Sequence, residues 1–75
     1  MKMKKVEYLE NVLNENKIYV VVWVTGFEDI VWYNEASGEF YDTQNEVGLL
    51  SDVVYVQELL SRKIIFDVRN KELSK

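Results

Sequence analysis

The sequence predicts an α+β fold, an antiparallel sheet of about four strands with two helices in the order α-β-β-β-α-β. An amphipathic segment comes first, and runs of β-branched and aromatic residues separated by turn residues follow it. A second segment with helical spacing precedes a final run of alternating apolar and polar residues. Because 75 residues can enclose only one hydrophobic core, we expect residues 1–75 to form a single globular domain.

The first predicted helix lies in the segment KKVEYLENVLNEN. Val6, Leu9 and Leu13 recur at the spacing that places them on one side of a helix, and charged residues occupy the other side. Asn14 and Asn16 are expected to end the helix, because asparagine tolerates the left-handed conformation that is common at helix C-termini. The predicted helix has about three turns.

Three strands of a β-meander are predicted at residues 17–25, 28–34 and 39–42. The first contains IYVVVWV, a run in which the β-branched and aromatic residues that favour strands predominate. The segments GFED and NEASGE between the strands are typical of turns, and Gly38 can adopt the positive φ that such turns need. We therefore expect antiparallel pairs joined by short turns.

Residues 43–61 combine features of a helix and of a strand, and we expect a helix. Thr43 and Glu46 have the spacing of a capping box, although Gly48 weakens the helix by about 1 kcal/mol relative to alanine. The β-branched valines of the segment favour a strand instead. The segment KIIFDVRN that follows, at residues 63–70, predicts a half-buried last strand. The apolar residues at helical spacing are Leu49, Val53, Val56 and Leu60.

The absence of histidine and cysteine excludes disulfides, thiolate metal sites and Ser-His triads. No phosphate-binding loop, dinucleotide-binding motif or zinc-ligand spacing occurs. The segment DTQNEVG resembles a calcium loop only weakly, because Gly48 comes one position late and Val53 stands where an EF-hand has glutamate. We therefore expect no enzyme activity, no cofactor and no metal ion; a metal-assisted hydrolase that uses the carboxylates is the least favoured alternative.

The start of the chain is basic but does not predict a signal peptide, because Glu7, Glu10 and Glu15 interrupt the apolar segment that one requires. The longest apolar run is the seven residues of IYVVVWV, whereas a membrane-spanning helix needs about 20. Together with the absence of cysteine, this predicts a cytoplasmic protein with no membrane segment. Small size and richness in Lys, Asn, Glu and Ile would suit a bacterial or phage accessory protein.

The net charge of −4 is distributed unevenly along the chain. Residues 18–61 contain eight acidic residues and neither Lys nor Arg, whereas residues 1–17 carry +1 and residues 62–75 carry +3. Most aromatic residues fall in the acidic span. Because nucleic-acid binding needs cations beside exposed aromatic rings, we expect no direct nucleic-acid binding.

The strand IYVVVWV is apolar on both faces, and the two predicted helices can cover only one of them. Alternation divides its side chains into two sets. The candidate inner set, under the helices, is Ile18, Val20, Val22 and Val24, which leaves Tyr19, Val21 and Trp23 facing outward.

An outward aromatic patch bordered by acidic residues predicts a protein-interaction surface. The simplest alternative is that these aromatic residues are half-buried within the folded chain and bind no partner. We expect a non-enzymatic acidic interaction module, an inhibitor or adaptor that binds a basic, nucleic-acid-binding surface of another protein. The alternative function is a homo-oligomeric structural protein, in its simplest form a homodimer, that self-associates through the aromatic sheet face. The predicted partner-binding residues are Tyr19, Trp23, Glu28, Asp29, Trp32, Tyr33, Glu35, Glu39, Tyr41 and Asp42.

Overall fold

One helix packs against one face of a six-stranded antiparallel sheet. The computed structural model of the protein describes residues 4–69, in which the helix α1 spans Lys5–Val12 and a 3-10 helix spans Leu50–Asp52. The strands are β1 (Ile18–Trp23), β2 (Glu28–Asn34), β3 (Glu39–Asp42), β4 (Val47–Leu49), β5 (Val53–Glu58) and β6 (Ile64–Asp67). They lie side by side in the order β4-β3-β2-β1-β5-β6, and every neighbouring pair is antiparallel.

The structure supports a single small α+β domain, and residues 4–69 contain one α-helix and six strands where the sequence predicts two helices and about four strands. β2 and β3 occupy the predicted residues, while α1, β1 and β6 are shorter than predicted. Residue 70, the end of the predicted last strand, lies outside the described residues. The predicted turns are confirmed by the positive φ of Gly26, 95°, and of Gly38, 71°.

The prediction of a second helix is wrong, because residues 43–61 form β4, the 3-10 helix and β5 with the turns that flank them. Thr43 and Glu46 do not cap a helix. Asp42 closes the turn between β3 and β4 instead, since its Oδ1 accepts the backbone N–H groups of Gln44 at 2.8 Å and Glu46 at 2.9 Å. Asn45 takes the left-handed conformation in this turn, with φ of 63°.

A β-bulge in β5 explains why a strand shows helical spacing. Val22 of β1 pairs with Tyr55, whereas the next residue, Trp23, pairs with Val53, so that Val54 is an extra residue in β5. The extra residue allows Val53 and Val56, three positions apart, to point toward the same side of the sheet, and both are fully buried. The three-residue spacing of these valines, which predicted a helix, therefore arises from the β-bulge in β5.

The prediction of the inner and outer faces of β1 is also wrong, and the two faces are exchanged. Tyr19 and Val21 are fully buried under α1, while Val24 is exposed. Tyr19 can lie in the core because its hydroxyl accepts the backbone N–H of Asn14, just after α1, at 2.8 Å. The tyrosine therefore has a polar partner that alternation of apolar residues cannot reveal.

Apolar contacts and hydrogen bonds from the side chains of α1 hold the helix against the sheet. Leu9 is fully buried in the core that the inner face of the sheet provides. The Lys5 ammonium donates to the carbonyls of Ser51 and Val53, and the Tyr8 hydroxyl donates to the carbonyl of Ile65 at 3.1 Å. α1 has eight residues, and no helix within residues 4–69 has the length and apolar character to cross a membrane.

Candidate functional site

The structure distributes the predicted partner-binding residues over the core, a turn and two separate surfaces. Tyr19 and Tyr33 belong to the core, where they are 0% and 4% exposed, and burial raises the pKa of both phenols. They support the sheet from inside and do not form part of an exposed surface. Glu35 lies in the turn after β2, where it and Glu15 each accept the backbone N–H of the other residue.

The first surface is an acidic pocket on the inner side of the sheet, at the end that α1 does not cover. It has a volume of about 540 Å³. Carboxylates of Asp29, Asp42, Glu46 and Asp52 stand around it, and its apolar lining includes Trp23, Val31, Phe40 and Gly48. Of the predicted residues, the acidic pocket therefore brings together Trp23, Asp29 and Asp42.

Trp23 is held in the acidic pocket by contacts on several sides. Its indole Nε1 donates to Asp29 Oδ2 at 2.6 Å, a short hydrogen bond to a carboxylate. Its ring meets the ring of Phe40 edge to face, with 6.2 Å between the centroids. A Cβ atom at Gly48 would lie 2.2 Å from the Trp23 ring, so the ring occupies the space that only glycine leaves open.

The carboxylates of the acidic pocket have few cations near them. Within residues 4–69 the ion pairs are Lys17–Glu58 and Arg69–Asp67, so no described cation forms an ion pair with the pocket. Asp52 acts on Lys5 only from a distance: burial lowers the pKa of the Lys5 ammonium, and the Asp52 charge partly offsets that effect. No three acidic side chains in the described part of the chain come together in a way that can hold a metal ion.

The second surface is the outward face of the sheet, which we call the open face. Trp32 and Ile30 are its exposed apolar residues on β2, and they pair across the strands with Ile18 and Val20 of β1. Tyr41 pairs with Trp32 from the β3 side. No element within residues 4–69 covers this face, because the single described helix packs on the other side.

The open face therefore carries four of the predicted partner-binding residues: Glu28, Trp32, Glu39 and Tyr41. Sequence reasoning missed Glu46, Gly48 and Asp52 of the acidic pocket, because it placed them in a helix. Two signals in the sequence pointed toward these residues: the absence of Lys and Arg between residues 18 and 61, and the acidic segment DTQNEVG, which contains Glu46 and Gly48.

Comparison of the chain with protein-family models, with curated proteins and with solved structures finds no match. The acidic pocket and the open face are therefore the features from which a function is argued. They lie on opposite sides of the same sheet and share only an edge, where Val47 and Leu49 of β4 border both.

Proposed function

We propose that the protein is a non-enzymatic interaction module that binds a basic surface of another protein, as an inhibitor or an adaptor. The observation that carries the proposal is the acidic pocket, in which carboxylates surround an indole ring without ion pairs to described cations. An arginine or lysine side chain of the partner would enter the pocket. Its charge would be neutralised by the pocket carboxylates, which form no ion pair with a described cation.

The chemistry of the acidic pocket suits a guanidinium or ammonium group. Asp29 and Asp42 line the pocket, and each has a second carboxylate oxygen besides the one that accepts from Trp23 Nε1 or from the β3–β4 turn. A volume of about 540 Å³ accommodates one such side chain together with part of its neighbours. A metal ion is a poorer occupant, since no three described acidic side chains converge on one point.

The charge of the whole acidic span supports a macromolecular partner with several cations. Residues 18–61 carry −8, so that a basic surface would be attracted over a distance well beyond the pocket itself. Surfaces that bind nucleic acids are basic in this way, because they neutralise phosphates. Such a surface is therefore the favoured target, and its association should be faster at low salt than at high salt.

Self-association is the second candidate function, and the open face favours it. The face is apolar at its centre and uncovered by the described residues. It is the opposite face from the one that alternation predicted to be exposed.

A cytoplasmic location and a bacterial or phage origin stay predictions from composition alone.

The test of the proposed function is calorimetric titration with a synthetic arginine-rich peptide. We expect the double variant Asp29→Asn and Asp42→Asn to bind about tenfold more weakly than the wild type, because two pocket charges are worth about 1.4 kcal/mol in total. Asparagine keeps an acceptor oxygen for Trp23 Nε1 and for the N–H groups of the β3–β4 turn, so the fold should be preserved.

The matched control is the double variant Glu28→Gln and Glu39→Gln, which removes the same charge from the open face. We expect its affinity for the peptide to fall by less than about threefold, since these positions lie outside the pocket. An equal loss in both variants would show a diffuse attraction to the acidic surface. Absence of binding by the wild type at low salt would overturn the proposal as a whole.

A further inference from the structure

We propose that a second copy of the chain covers the open face, in a two-fold symmetric dimer whose axis lies parallel to the strands. The inference deepens the second candidate function, self-association, and rests on it. Its central residues, Ile30 and Trp32, do not line the acidic pocket. The dimer is inferred from the apolar area of the open face and from the distribution of charge across the sheet. A symmetric dimer is the simplest way in which one surface can cover itself.

The open face is large enough for a dimer of modest stability. Ile30, Trp32, Val47 and Leu49 are between 40% and 52% exposed. Together these four residues expose on the order of a few hundred Å². Half-buried apolar residues of the central strands enlarge the patch to the size at which the largest patch of a monomer is often functional.

The dimensions of the sheet agree with this estimate. Strands about 4.8 Å apart, each of up to about seven residues, give the face roughly 25 by 20 Å, or about 500 Å² in projection. Two such faces bury on the order of 1,000 Å², the lower limit for a specific interface. An interface of this size is typical of weak or transient complexes, so we expect a reversible dimer that dissociates on dilution.

The strand order gives the sheet an acidic half and a basic half. Residues 28–49, which form β2, β3 and β4, carry six acidic residues and no cation. Residues 53–69, which form β5 and β6, carry three basic and two acidic residues. On the open face itself, Glu28 and Glu39 lie in the acidic half. In the basic half, Arg69 lies 4.2 Å from the ring centroid of Tyr55 but is ion-paired with Asp67, so the positive charge of that half comes from Arg62 and Lys63 in the β5–β6 turn.

This distribution selects the direction of the two-fold axis. An axis parallel to the strands exchanges the halves, so that β3 and β4 of one copy lie over β5 and β6 of the other and opposite charges meet. An axis across the strands would place the acidic half of one copy over the acidic half of the other. Like charges would then repel across the interface.

The same axis passes between β1 and β2, the central strands. Val20 and Ile30 pair directly across these strands, and so do Ile18 and Trp32. Rotation about the axis places Val20 over Ile30 of the second copy and Ile18 over Trp32 of the second copy. The apolar centre of the face is therefore complementary to itself, with Trp32 as its largest anchor.

Sedimentation equilibrium over a range of protein concentrations tests the dimer. We expect a reversible dimer in the wild type, and at least a tenfold rise in its dissociation constant in Trp32→Ala and in Ile30→Thr. The control is Phe27→Ala, which removes a residue that is 74% exposed in the β1–β2 turn and should leave the dimer unchanged. Far-UV circular dichroism identifies any variant that has lost its fold.

Charge reversal tests the direction of the axis. We expect Glu28→Lys with Glu39→Lys to weaken the dimer about tenfold, and Arg62→Glu with Lys63→Glu to do the same. An equimolar mixture of the two variants should form a heterodimer as stable as the wild type. With an axis across the strands, the first variant would instead dimerise as well as the wild type.

Two further results would overturn the inference. A wild type that is monomeric at about 500 µM would show that no second copy covers the face. A dimer that is unaffected by Trp32→Ala and by Ile30→Thr would show that copies meet through another surface. Neither result bears on the acidic pocket, so failure of this inference and failure of the proposed function are distinguishable.

Discussion

The substitution Gly48→Ala tests how the fold places the indole ring of Trp23 in the acidic pocket. A Cβ atom at residue 48 would lie 2.2 Å from Trp23 Cη2 and 2.8 Å from Cζ2, both far below van der Waals contact. The far end of the indole must therefore move, or β4 must shift away from it. A rotated ring would also weaken the 2.6 Å hydrogen bond from Trp23 Nε1 to Asp29.

The expected loss of stability is about 2 kcal/mol. Overpacking of this kind costs about 1–3 kcal/mol, and weakening of a hydrogen bond to a charged group adds to it. The lower conformational entropy of alanine in the unfolded chain offsets about 0.5–1 kcal/mol. For a domain of this size the net loss corresponds to a fall in Tm of about 8–16 °C.

A double-mutant cycle isolates the contact between the two residues. Urea unfolding followed by far-UV circular dichroism is measured for the wild type, Gly48→Ala, Trp23→Leu and the double variant. In the Trp23→Leu background we expect Gly48→Ala to cost less than about 0.5 kcal/mol, because the clash is gone. Equal costs in both backgrounds would refute the assignment of Gly48 to the space beside the ring.

Three further predictions test the core, the β3–β4 turn and the buried phenol of Tyr19. Leu9→Ala should destabilise the fold by about 2–5 kcal/mol in urea unfolding, and Val12→Ala, at an exposed position of the same helix, by much less. Asp42→Ala should cost about 1–2 kcal/mol in thermal unfolding, whereas Asp42→Asn keeps the acceptor and should cost little. Burial raises the pKa of Tyr19, so its contribution is present below about pH 10 and is lost as the pH rises through its folded pKa. Tyr19→Phe should therefore lose less stability than the wild type above pH 10, and an identical pH dependence would contradict this assignment.

Local patterns predicted the parts of the sheet that obey simple alternation. β2 and β3 have strong strand-forming residues and turns with glycine or asparagine at their ends, so their limits could be read directly. β5 could not be read, because the bulge at Val54 gives its buried valines a spacing of three residues. That spacing is helical by any rule based on periodicity.

The sequence predicted the composition of the two surfaces but not their positions in the fold. The acidic character of residues 18–61 was evident, but the pocket requires β4 to lie beside β3 and Gly48 to lie beside Trp23. Both are contacts between strands that the sequence does not specify locally. The open face was assigned to the wrong side of β1, because the hydrogen bond of Tyr19 to Asn14 forms only in the folded chain.

The most direct test of the proposed function follows the two indole N–H groups in a ¹⁵N-labelled sample by two-dimensional NMR. Trp23 Nε1 lies in the acidic pocket, bonded to Asp29, and Trp32 lies on the open face, so each resonance reports one surface. On titration with an arginine-rich peptide at constant protein concentration, we expect the Trp23 signal to shift and the Trp32 signal to stay in place. A peptide that shifts only the Trp32 signal, or neither signal, would contradict the assignment of the acidic pocket as the binding site.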